Sequence, residues 1–88
     1  MSWVCKFDRR ALRELNKLDP QSKRQILAYL EERIEIDADP RRFGKRLKAN
    51  LAGLWRYRVG NYRIICQIVD NELIVLVLAV GHRNTIYE

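Results

Sequence analysis

From residue 54 onwards the chain alternates between apolar and polar positions, and that alternation predicts most of the fold. Across residues 54–59, Trp55, Tyr57 and Val59 fall on one side and Arg56 and Arg58 on the other. This is the period of two expected of a half-buried strand. Gly60-Asn61 follows, a pair that tolerates positive φ and so predicts a two-residue hairpin turn. If Val59 faces Tyr62 across that turn, Arg58 stands opposite Arg63 and Trp55 opposite Cys66. The remaining apolar positions of the returning strand, Ile64 and Ile68, then join the apolar side. Asp70-Asn71 predicts a second turn, with a third strand over residues 72–80. Its run LIVLVLAV has no polar residue, so it reads as a central strand buried on both sides, with Leu78 opposite Arg63. Gly81 is expected to end it, and His82, Arg83 and Tyr87 come just past that end.

The first half reads differently. Residues 3–7 form a short strand with Trp3, Cys5 and Phe7 on one side. Asp8 is a suitable N-cap for a helix whose stripe is Leu12, Leu15 and Leu18. Asp19-Pro20 closes that helix and opens a second one, because Asp caps well and Pro suits the first helical position. The second helix runs to about residue 36, with Ile26, Leu27, Leu30 and Ile34 inward. So tight a connection predicts an antiparallel helical hairpin. Residues 37–53 link the halves and hold Pro40, Gly44 and Gly53. The expectation is one α+β domain over residues 1–88, ordered β-α-α-β-β-β. Its helical hairpin packs on one face of a mostly antiparallel sheet, and the other face is open and basic. The N-terminal strand joins an edge or pairs with the last strand; the pattern leaves both open.

Composition adds a sign to this picture. The 88 residues carry 17 Lys and Arg against 11 Asp and Glu, a net charge of +6, with a pI near 9.7. Such a bias favours nucleic acid, an acidic protein or an anionic surface as partner. The longest apolar run, residues 73–80, is far too short to span a bilayer, and no signal peptide opens the chain. No membrane association is expected, and a cytoplasmic location is. Cys5 and Cys66 sit on apolar sides of strands and read as buried free thiols. Two cysteines and one histidine do not make a zinc site, and neither metal nor cofactor is expected.

Two arginines directly opposed on a strand pair repel one another. Placing Arg58 against Arg63 therefore suggests space kept for an anion. The linker's Arg41, Arg42, Lys45, Arg46 and Lys48 admit two readings, a solvated loop or contacts to RNA or ribosomal phosphates. No Ser-His-Asp set, phosphate loop or carboxylate cluster for magnesium is visible. Arginines, tyrosines and one histidine suit cleavage of RNA by its own 2′-hydroxyl, since the substrate then supplies the nucleophile. Arginine holds phosphate well but is a poor proton shuttle. Proton transfer would fall to His82, Tyr87 or a lysine such as Lys48. Each has a plainer alternative: a surface histidine, a tyrosine packed on the sheet, a solvated strand arginine at Arg56, a structural ion pair at Arg63.

The segments W-R-Y-R-V-G-N-Y-R-I-I and V-G-H-R-N-T-I-Y, with F-D-R-R-A-L-R-E-L-N-K-L and K-R-L-K upstream, resemble the RelE group of the RelE/ParE toxin superfamily. The likeness covers nearly the whole chain. It implies the toxin of a type II toxin–antitoxin system that cuts mRNA in the ribosomal A site without metal, leaving a 2′,3′-cyclic phosphate. It also implies a cognate antitoxin that wraps the toxin and covers its basic face. By position, Arg63 and Arg83 resemble the arginines that stabilise the phosphate, and Tyr87 the tyrosine that orients the base or moves a proton. Arg56 and Arg58 stand where well-studied members have catalytic lysines, a departure that leaves phosphate binding intact but weakens proton transfer. His82 thereby becomes a candidate of its own. Two rival readings share the fold: a ParE-type poison of DNA gyrase, and a catalytically weak RNA- or antitoxin-binding module.

Overall fold

A five-stranded sheet in the order β1-β5-β4-β3-β2 forms the centre of the molecule. The computed structural model describes residues 2–82. The strands are β1 (Val4–Phe7), β2 (Lys45–Arg46), β3 (Trp55–Val59), β4 (Tyr62–Val69) and β5 (Ile74–His82), and the helices are α1 (Arg9–Asn16) and α2 (Pro20–Tyr29). β1 runs parallel to β5, and the other neighbours are antiparallel. The N-terminal strand thus satisfies both readings, as an edge strand whose partner is the last strand. The two-residue β2 was not legible in the pattern.

The caps are where the sequence places them. Asp8 accepts a hydrogen bond from the Ala11 N–H at 2.8 Å, and Asp19 from the Ser22 N–H at 3.1 Å, satisfying amides that each first turn leaves without a partner. The stripes differ in detail. Ala11 and Leu15 are the buried residues of α1, while Leu12 is exposed, as is Leu27 on α2. Beyond Tyr29 the backbone continues to Ile34 as a wider π turn, in which the Glu35 N–H donates to the Leu30 carbonyl. Leu30 and Ile34, at the two ends of that turn, are both buried.

One face of the sheet meets the helices. Tyr57, Ile64, Cys66, Val75 and Val77 are fully buried there against Ala11, Leu15, Ile26, Leu30 and Ile34. Removal of this apolar surface from water is the main stabilising contribution to the domain. The Tyr57 hydroxyl, also buried, donates to the Pro40 carbonyl at 2.7 Å and so ties the linker to the core.

The hairpin register is the one the sequence predicts, with Arg58 opposite Arg63, Trp55 opposite Cys66 and Val59 opposite Tyr62. Gly60 takes φ of +59°, as the first central residue of a tight hairpin turn. The next register does not follow expectation. Ile65 pairs with Ala79 but Cys66 with Val77, so Leu78 is an extra residue, a β-bulge. Past it the faces of β5 exchange. Val80 joins the helix-side core, and Gly81, not Leu78, stands opposite Arg63. Gly81 does not end the strand, which continues through it to His82. β5 is also less deeply buried than expected, for Ile74, Leu76 and Leu78 remain partly exposed.

Candidate nucleic-acid interface

The register assembles two rows of side chains on the face away from the helices. One row runs Arg58, Arg63, Gly81 across β3, β4 and β5; the next runs Lys45, Arg56, Ile65, Ala79 across β2 to β5. Three arginines and a lysine therefore share one end of the face, beside a glycine that adds no side chain. Arg56 is 7 % exposed and Arg63 half-buried, whereas Arg58 and Lys45 reach solvent. A partly dehydrated guanidinium interacts with an anion more strongly than a fully solvated one. Lys45 enters the row through β2, a strand too short to be predicted from its pattern.

This face is not open along its whole length. Leu47, Ile65 and Ala79 are buried together, with Leu51 and Leu54 packed against them, forming a second small core beside the arginines. A groove of about 330 Å³ runs along it, lined by Arg10, Asn50, Leu51, Leu54, Ile65, Leu78 and Ala79. The expectation of an open, basic face is corrected accordingly: Leu47 and Leu51 of the linker, with Leu54 beside it, pack on part of that face.

The linker's basic residues separate. Arg41 makes a bidentate pair with Asp70, at 2.6 and 3.0 Å, and a longer contact to Asp39. The pairing holds the Asp70 carboxyl below its ordinary range and raises the Arg41 guanidinium above its own. Arg42 pairs with Asp37 at 3.3 Å. Arg41 and Arg46 also sit over the Trp55 ring, at 5.7 and 5.5 Å from its centre. Trp55 packs against the helix-side core, so Arg46, its cross-strand partner, belongs to that side of the sheet. Lys45, Arg46, Leu47 and Lys48 line a common pocket. Of the five linker residues, Lys45 alone is in register with the arginine rows.

His82 does not join the arginines. Its register partner is Tyr62, and the rings meet edge-on at 5.8 Å and 78°. Tyr62 packs with the helix-side core, so His82 starts from the face opposite to Arg63. The bulge causes this, by exchanging the faces of every residue after Leu78. Arg83 and Tyr87 lie outside the described residues.

Both cysteines are free. Burial, with the nearby Glu35 carboxylate adding at Cys5, pushes the Cys5 thiol up to about 12; burial does the same at Cys66, also to about 12. Neither is an activated nucleophile. Among the described residues no group of three or more His, Cys, Asp or Glu is placed to hold a metal ion, and no helix is long and apolar enough to cross a membrane.

Known proteins are similar to this chain along nearly its whole length. The family model described as the ParE toxin of the type II toxin–antitoxin system parDE matches residues 5–87. The toxin RelG of Mycobacterium tuberculosis is 37 % identical over 99 % of this chain and 98 % of its own length. The mRNA interferase toxin RelE of Escherichia coli is 32 % identical over 96 % of this chain and 86 % of its own. In the crystal structure of the toxin–antitoxin complex RelBE2 from M. tuberculosis, a chain 31 % identical superposes with a TM-score of 0.85, covering 94 % of this chain and 93 % of that one. With a family match over residues 5–87 and relatives above 30 % identity along nearly the whole chain, the chain belongs to the RelE/ParE family as a RelE-type toxin of a type II toxin–antitoxin system.

Proposed function

We propose that this toxin is a metal-independent endoribonuclease that cuts mRNA in the ribosomal A site and so inhibits translation. The observation that carries the reading is the row Arg58–Arg63–Gly81, two opposed arginines next to a position without a side chain. Two guanidinium groups side by side offer paired donors to the oxygens of a phosphodiester. The mRNA interferase name of the E. coli relative supports an RNA substrate over DNA gyrase.

In the proposed reaction the substrate's 2′-oxygen attacks the adjacent phosphorus, and the bond from phosphorus to the 5′-oxygen breaks. A 2′,3′-cyclic phosphate and a 5′-hydroxyl result. One proton leaves the 2′-hydroxyl and one reaches the departing 5′-oxygen. Arg63, Arg58 and Arg56 stabilise the charge that grows on the phosphate, together with Arg83 as the resemblance implies. Proton transfer belongs to groups that can lose and regain a proton on this side of the sheet. Lys45 is in register there, and Tyr87 has that role in the resemblance. His82, on the other side, takes no part, and His82→Gln is expected to leave single-turnover cleavage unchanged. Arg41 and Arg42, already paired with carboxylates, add little to RNA affinity; Lys45 and Lys48 add more.

The partner is a cognate antitoxin that covers the arginine face, a reading supported by relatives solved as toxin–antitoxin complexes. Antitoxin-free protein incubated with a short mRNA, either free or on ribosomes with an empty A site, tests the proposal by mapping new 5′ ends. Cuts confined to the A-site codon of ribosome-bound mRNA are expected. Cleavage of free RNA would remove the ribosome requirement, and no cleavage in either sample would turn attention to gyrase supercoiling.

A further inference from the structure

Among the described residues, no strand flanks the far end of β5 on its outer edge. β1 pairs with β5 only over the register Val4 to Phe7 against Ile74 to Val77, and the last bond of that edge runs from the Asp8 N–H to the Val77 carbonyl. Beyond it the chain has turned into α1. The next outward amide, that of Val80, donates instead to Glu14 Oε1 of α1 at 2.8 Å. The other carboxylate oxygen, Oε2, is held by Arg10 Nε at 3.2 Å, one helical turn away.

This single bond sits two residues after the bulge at Leu78. Without the bulge, continuing from the Cys66–Val77 pair would set Ile64 against Ala79 and Arg63 against Val80. A one-residue slip moves every following side chain to the other face. A branched side chain would then stand opposite Arg63 in place of glycine, and His82 would cross to the arginine face. The bulge leaves Leu78 out of the ladder and disrupts the pairing locally, so a bond from outside the ladder adds to what fixes the register there.

We propose that Glu14 is a positioning residue that holds the bulged register, and through it the placement of Gly81 opposite Arg63. Glu14 acts on backbone and touches no substrate. The carboxylate is the acceptor that selects Val80, and Arg10 restricts its rotation. The activity readout rests on the endoribonuclease reading above, while the register readout does not.

The test compares wild type with Glu14→Ala and Glu14→Gln as free toxin. On ribosomes programmed with a short mRNA, Glu14→Ala is expected to lower kcat about tenfold or more, as displacement of a reacting group does, with KM within about twofold. Glutamine keeps an acceptor oxygen and is expected to restore kcat. In NMR spectra, Glu14→Ala loses the cross-strand contact between Arg63 and Gly81 and exchanges the Val80 amide faster, and Glu14→Gln retains both. Should the alanine variant not fold, Glu14→Met, which keeps the stem without the acceptor, carries the same comparison. Unchanged kcat with the Arg63–Gly81 contact intact would overturn the proposal, and so would a loss of thermal stability alone. If wild type itself does not cleave, the nuclease reading fails, and the NMR comparison still decides the register.

Discussion

The two faces of this sheet are built from the same strands and obey different rules. On the helix side, Tyr57, Ile64, Cys66, Val75 and Val77 are wholly removed from water, and shape complementarity sets their energy. On the other side, Arg56, Arg58 and Arg63 stand together with Lys45 at one end, next to the small apolar cluster of Leu47, Ile65 and Ala79. The first face holds the fold and the second uses it. Substitutions that separate stability from activity therefore expose the division.

Arg63→Ala should produce the largest functional change, a fall of about 10²- to 10³-fold in cleavage rate, the usual effect of losing one preorganised charge stabiliser. Its denaturation midpoint should correspond to a change of less than about 1 kcal/mol. A large loss of stability in that variant would mean that the arginine face also holds the fold. Ile64→Ala, one residue along on the same strand, should do the reverse. Its fully buried side chain predicts a loss of about 2–5 kcal/mol in urea unfolding, with cleavage near normal in whatever protein remains folded.

Tyr57→Phe is a finer probe of the helix side. It removes the donor to the Pro40 carbonyl and should cost about 1–3 kcal/mol, without altering RNA affinity. A further probe of the helix side is pH. The folded thiols of Cys5 and Cys66 ionise near 12, against an ordinary value of 9.0. The unfolded chain therefore loses these protons first, so stability is intact below pH 9 and declines as pH rises from there towards 12. Equilibrium unfolding across that window should show the decline, and Cys66→Ala should flatten it. A flat profile in wild type would mean that the thiols are not buried.

Much of the fold was legible because it is local. Gly60-Asn61 defined one hairpin, and the alternation on either side defined its register, so Arg58 against Arg63 needed no tertiary information. Asp8 and Asp19 announced their helices. Leu12 and Leu27 misled, because a periodic stripe gives a helix its inward direction but not the width of what covers it. For the site, Arg63, Arg58 and Arg56 were readable from period and turn. Lys45 was assigned to the linker, since two residues are too few to display a period.

The sequence by itself determined the element order, the caps, the turn and the apolar and basic sides of the hairpin, because each depends on residues within a few positions of one another. The tertiary structure decided the rest. It placed an extra residue at Leu78, turned His82 to the face of Tyr62, set Gly81 beside Arg63 and paired Arg41 with Asp70. These features rest on contacts between distant segments, such as Glu14 with Val80, 66 residues apart. A strand's period of two carries no record of such a contact, so a one-residue bulge is invisible until the neighbour that holds it is in place.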